Sequence, residues 1–244
     1  MLRKALLALS LALATTAAAQ AGTYRGPAVA IGPGAARVVV RTDAAHRPTA
    51  VIVLLTAAAL RSSLPEREWT LAMPPGPRTG FDHVTIDWHP HGHIPPGIYT
   101  VPHFDFHFYT IDRKSQLAIA FPKQEKDPAA VVSDAALVPA GGYRVFAISA
   151  TDQMGVHAVD LTSPEFHKKQ FTTTFLYGYY ENRMIFVEPM ITSAFLESAP
   201  DVTLPLKVPQ KYSSPGWYPT SYSIHYDRAR QVYVIALRGL RRYR

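Results

Sequence analysis

The chain has 244 residues, a formal charge of +7, 18% charged residues, 48% hydrophobic residues and no cysteine. Without cysteine it has no disulfide, no thiolate metal ligand and no cysteine nucleophile, so its stability has to come from burial. About 220 residues beyond the N-terminal segment are enough for one domain.

Residues 1–21 read as an export leader. Arg3 and Lys4 precede an apolar run from Ala5 to Ala14, and small residues follow. Cleavage is expected after Ala19 or Ala21, leaving 22–244 as a single exported, soluble β-rich domain in the periplasm or outside the cell. No apolar run reaches the roughly 20 residues of a membrane-spanning helix. Export disfavours a nucleic-acid partner. The basic close "RGLRRYR" reads as a solvated tail, and attachment to an anionic surface is the sharper alternative.

Twenty-one prolines and fourteen glycines break up helical periodicity. Strands are expected at 36–42, 49–55, 83–89, 99–111, 117–122 and 143–149. Two hairpins are expected, one turning at Glu181 and Asn182 and the other around "DRAR". Helix is confined to short pieces at 56–63 and 192–198, with one further turn after Ser163. No repeat of 20 to 50 residues is visible. The fold class is therefore mainly β: a single-domain antiparallel sandwich or barrel with a few short helices.

Five of the ten histidines fall within "WHPHGHIPPGIYTVPHFDFHFY", residues 88–109. On a strand, His103, Asp105, His107 and Tyr109 share one face while Phe104, Phe106 and Phe108 share the other, giving an anchored strand with a polar row. Residues two apart lie about 6.7 Å apart, close enough for two side chains to meet at one ion; four apart is about 13 Å, which makes His103 and His107 alone a poor pair. The proline-rich loop carrying His91 and His93 is short enough to fold back on the row. "MGVHAVD" adds His157. Glu188, in "FVEPMIT", sits among apolar neighbours and needs a partner unless it lies at an exposed edge, which Pro189 would permit. His46, His83, His167 and His225 read as solvated.

No G-x-S-x-G elbow, glycine-rich phosphate loop or HExxH helix is present, so no organic cofactor is expected. Two readings remain. In one, His93, His103 and His107, with His91 and His157 as further ligands, hold zinc or another divalent metal, and Glu188 or Asp105 takes a proton in metal-assisted hydrolysis or hydration of an unidentified small molecule. In the other, the chain is a non-catalytic envelope protein that self-associates as a homo-oligomer or binds an apolar ligand, and the histidine row is structural.

The stretches "FDHVTIDWHPHGHIPPGIYTVPHFDFHFY", "MGVHAVD", "YGYYENRMIFVEPMITSAF" and "GWYPTSYSIHYD" resemble a family of secreted bacterial proteins of unassigned function, marked by "PHFDFHFY" and "EPMI". The resemblance implies shared positions at His93, His103, Asp105, His107, His157 and Glu188. It departs at His89, where the family often has asparagine, and at Ile94, where it often has an acidic residue. The resemblance names no reaction.

Overall fold

The computed structural model describes residues 21–60 and 64–244. The expected leader therefore lies almost wholly outside the described residues. Among the latter, no helix is long and apolar enough to cross a membrane.

The strands in chain order are β1 (Thr23–Arg25), β2 (Val29–Ile31), β3 (Gly34–Thr42), β4 (Pro48–Thr56), β5 (Arg67–Ala72), β6 (His83–His89), β7 (His103–Tyr109) and β8 (Tyr143–Thr151). They continue with β9 (Gly155–Asp160), β10 (Thr173–Tyr180), β11 (Arg183–Thr192), β12 (Asp201–Pro205), β13 (Gly216–Tyr218), β14 (Ser221–Asp227), β15 (Val232–Arg238) and β16 (Arg241–Tyr243). One sheet runs β1-β3-β4-β15-β14-β12 with β2 on β3, a second runs β5-β6-β7-β11-β10-β9-β8, and β13 pairs with β16. The two large antiparallel sheets form a sandwich-like arrangement, not a closed barrel.

The core lies between these sheets. Val38, Val40, Val51 and Val53 of the first share one buried cluster with Val84, Ile86, Phe104, Phe106 and Phe108 of the second. Burying each phenylalanine contributes roughly 1.5–3 kcal/mol, which fixes β7 in the middle of its sheet.

Both expected hairpins form. β10 and β11 turn at Glu181 and Asn182, whose φ angles of 49° and 58° give the left-handed two-residue turn that suits strand twist. β14 pairs with β15 along its whole length. Among the described residues a 3-10 turn follows Ser163 at Pro164–His167, and the other expected helical pieces are seen as α1 (Ala57–Leu60) and α3 (Ser193–Glu197), the Thr192 side chain capping α3 by accepting from the Phe195 N–H. Between them lies a helix absent from the sequence reading, α2 (Arg113–Leu117), capped by Asp112, which accepts from the Ser115 N–H. The strand expected at 117–122 does not form: Leu117 ends α2, and 118–122 run on as turn and loop. Ile119 and Phe121 are buried there by loop packing, not by a ladder.

The second sheet is also covered on its far side. Tyr99, Val159, Phe171, Leu176 and Met190 form a smaller apolar cluster with Ile98, Val101 and Phe166, drawn from loops around 90–102 and 161–172 and from β9, β10 and β11. Every residue of β7 is consequently buried, and the polar row is roofed instead of solvated.

Candidate metal centre

Strand register builds the site. On β6, Thr85 lies opposite His107, Asp87 opposite Asp105 and His89 opposite His103. On β11, Met190 lies opposite Asp105 and Thr192 opposite His103, and the same register sets Glu188 across from His107. Pro189 thus occupies a central strand and donates no hydrogen bond beside Glu188. The edge position that would have exposed Glu188 is excluded, because β11 lies between β7 and β10.

Asp105 is the centre of a first group. His89 Nε2 is 3.2 Å and His93 Nε2 3.1 Å from the same oxygen, Asp105 Oδ2. His93 reaches it because the 90–102 loop doubles back: its N–H donates to the Tyr99 carbonyl, and Gly92 precedes it at φ 66°. A Cβ on Gly92 would stand 2.0 Å from that carbonyl oxygen, so the close approach requires glycine. The other ring nitrogens are taken. His93 Nδ1 donates to the Ile94 carbonyl at 2.7 Å, and His89 Nδ1 pairs with Glu66 at 3.0 Å. A carbonyl or carboxylate only accepts, so in the neutral rings Nε2 presents a lone pair to Asp105. His103 repeats the pattern on the far oxygen. Its Nδ1 donates to the Val101 carbonyl at 2.6 Å, and its Nε2 lies 3.3 Å from Asp105 Oδ1.

The second group lies one step along the strand. His107 Nδ1 is 2.8 Å from Asp87 Oδ2, while its Nε2 is 3.4 Å from Glu188 Oε1. His157 Nε2, from β9, stands 3.6 Å from Glu188 Oε2. Phe186 forms the floor, edge-on to His107 at 4.8 Å and to His157 at 5.4 Å. Its ring lies over Gly178, where a Cβ would come within 2.0 Å of it.

Electrostatics follow from burial and from these contacts. Burial works to raise the Asp105 pKa, but the imidazoles of His89, His93 and His103 set around its two oxygens hold it well below the usual carboxylate range. For His89, burial opposes protonation while Asp105 and Glu66 favour it, and the outcome is a pKa raised to about 9. Burial likewise opposes charge on His107, yet Glu188 and Asp87 raise it to about 10. Burial pushes Glu188 up to about 8 and pulls His157 down to about 3.

Despite this crowding, several buried atoms lack a hydrogen-bond partner among the described residues: Nε2 of His89, His103 and His107, Oδ1 of Asp105 and Oε2 of Glu188. Ligand atoms of His89, His93 and Asp105 all lie within 4.8 Å of one another, as do those of His107, His157 and Glu188. A tetrahedral ion about 2.1 Å from its ligands holds them roughly 3.4 Å apart, and the nitrogen–oxygen separations of 3.1–3.6 Å match such an edge.

Residues 43–88 match the model of the TTHB210-like family, described as hypothetical protein TTHB210. This supports a link to an uncharacterised-domain family over the stretch from the β3–β4 turn to Trp88. Of the site it contains Glu66 and Asp87, and it stops one residue short of His89. No curated protein and no solved structure matches.

The structure therefore separates residues that sequence spacing had grouped. His93 and His107 fall in different groups, His103 backs the far oxygen of Asp105, and exposed His91 belongs to neither group. His157 and Glu188 come together with His107. His89, which the sequence set apart only as a departure from the family pattern, and Asp87, not singled out from sequence, occupy central positions. Their period-two placement in "HVTIDWH" was the available signal, but which strand lay opposite was not. His83 is buried, not solvated, stacked on Tyr109 at 4.9 Å and bonded to Gln116 at 2.6 Å.

Proposed function

We propose that this chain binds a divalent metal ion, zinc foremost, through His89, His93 and Asp105, and uses it for metal-assisted hydrolysis or hydration of a small molecule. The observation that carries the reading is the pair of imidazole Nε2 atoms facing one Asp105 oxygen, each with its Nδ1 side already occupied. Nitrogen and carboxylate ligands suit zinc, and three protein ligands leave a fourth position for water. His93 is one-third exposed and His89 less so, which places solvent on one side of the triad. An ion there would acidify its water and polarise a carbonyl or similar group.

A second reading has one observation in its favour. With its pKa raised to about 9, His89 is protonated at neutral pH in the metal-free chain and can donate to Asp105, giving a hydrogen-bonded ladder with no ion. Calorimetric titration of the untagged chain with Zn²⁺ separates the two. The metal reading expects uptake that falls by one ion per chain in His89→Ala/His93→Ala with the far-UV circular dichroism retained; equal uptake by that variant would remove this triad from the account.

A further inference from the structure

We infer that His107, His157 and Glu188 form a second, inner divalent-metal site, which clamps β7, β11 and β9 together and holds its ion more persistently than the outer triad. The inference stands on its own residues and does not require that the outer triad bind metal.

Three observations converge on it. First, the ligands are buried and underused: the side chains of His107 and Glu188 are 0% and 2% exposed, and His107 Nε2 and Glu188 Oε2 have no hydrogen-bond partner among the described residues. An unpaired polar atom in such surroundings costs free energy comparable to a lost hydrogen bond, and a cation between the lone pairs removes that cost for both atoms at once. Second, the supporting residues are in place. Asp87 lies 2.8 Å from His107 Nδ1, with the Thr85 hydroxyl 3.3 Å from the same carboxylate oxygen, so the ring is held with Nε2 toward Glu188. A carboxylate behind a ligating histidine is a common means of fixing tautomer and orientation at metal sites. Third, the floor is shaped for it: Phe186 packs against both imidazoles and is seated by Gly178, giving an apolar base under a polar triad.

Two imidazoles and one carboxylate at these separations make a nitrogen-rich, borderline set suited to Zn²⁺, with Co²⁺ or Fe²⁺ as competitors; hard, oxygen-seeking Ca²⁺ and Mg²⁺ are poorly matched. The difference from the outer triad is access. His157 is the most exposed of the three ligands at 12%, whereas His93 in the outer triad is 33% exposed. His157 sits on β9, with β10 between it and Glu188 on β11, so the ion would link strands across four positions of the sheet. An ion enclosed in this way leaves only when the strands separate, while one on the loop-built triad exchanges with solvent.

The test loads the untagged chain with Zn²⁺, removes excess by desalting and counts zinc per chain in wild type, His93→Ala, His157→Ala and Glu188→Gln, with circular dichroism to confirm folding. The expected counts are two, one, one and one. EDTA should strip the wild type in a fast and a slow phase, the slow one missing from Glu188→Gln, whose shape is nearly unchanged. A wild-type count of one that survives His93→Ala and vanishes in His157→Ala would uphold the inner site while removing the outer one. Counts in His157→Ala and Glu188→Gln equal to wild type would overturn the inference. Should both variants unfold, anomalous scattering at the zinc edge from zinc-loaded wild-type crystals decides it: a peak between His107, His157 and Glu188 supports the site, and its absence there overturns it.

Discussion

Asp87 on β6 and Asp105 on β7 stand directly opposite one another, both buried in one face of the same sheet. Like charges placed across a strand pair are destabilising, and burial makes them costlier. Each carboxylate is instead drawn to its own imidazoles: Asp87 to His107, whose charge is favoured, and Asp105 to His89 and His93, whose charge is favoured, with His103, held toward its neutral form by burial, at its other oxygen. The back-to-back aspartates mark where one polar row divides into an outer and an inner group. Neither group could be moved onto the other without breaking the ladder between β6 and β7.

If Asp87 orients His107 for an ion, Asp87→Asn should keep the hydrogen-bonding shape but lower the affinity of the inner site by about 10–100-fold. Competition against a chromophoric zinc chelator measures this directly. Unchanged affinity would show that Asp87 is only a charge partner of His107.

The pH dependence of stability has a definite sign in the metal-free chain. Glu188, raised to about 8, His89, to about 9, and His107, to about 10, keep protons in the fold that the unfolded side chains have released. Their contribution is complete below the unfolded values and is lost as pH rises through about 8 to 10. His157, lowered to about 3, acts oppositely: its contribution is present above the unfolded value near 6.5 and is lost as pH falls toward 3. Scanning calorimetry of EDTA-treated protein should therefore show Tm declining from neutral pH to about pH 10. Zinc should flatten the decline by replacing the protons. A metal-free Tm that holds constant over that interval would contradict the assignment.

Gly92→Ala tests the loop that presents His93. With φ at 66° and the Tyr99 carbonyl 2.0 Å from the added carbon, the loop has to move. A loss of about 1–3 kcal/mol is expected, with weaker zinc binding at the outer triad and the inner site unaffected. Titration and thermal melting should change together; a stable variant with normal affinity would mean that the loop does not position the ligand.

Much of the sandwich was legible, because β-branched runs and alternating phenylalanines report burial whatever the topology. The strand 83–89, the core of 103–109 and both hairpins follow from local pattern and turn position. α2 was hidden, since its signal is the single cap from Asp112 to Ser115 beside the apolar run "LAIAFP" that mimics a strand. The roof over the polar row was also hidden. It depends on Tyr99, Phe166 and Phe171 meeting Val159, Leu176 and Met190, contacts that link distant parts of the chain. How the site residues divide was hidden for the same reason: alternation on β7 places His103, Asp105 and His107 on one face, but only cross-strand register adds His89 and Asp87 or divides His93 from His107.

The central claim, that this histidine–carboxylate belt is a metal centre, is tested most directly by elemental analysis of the chain purified without chelator or histidine tag, followed by titration with zinc, manganese, iron and copper. The account predicts a tightly retained divalent ion and saturable zinc uptake to two ions per chain. Protein that arrives free of metal and takes up none of these ions would contradict it and leave the belt as a hydrogen-bonded ladder.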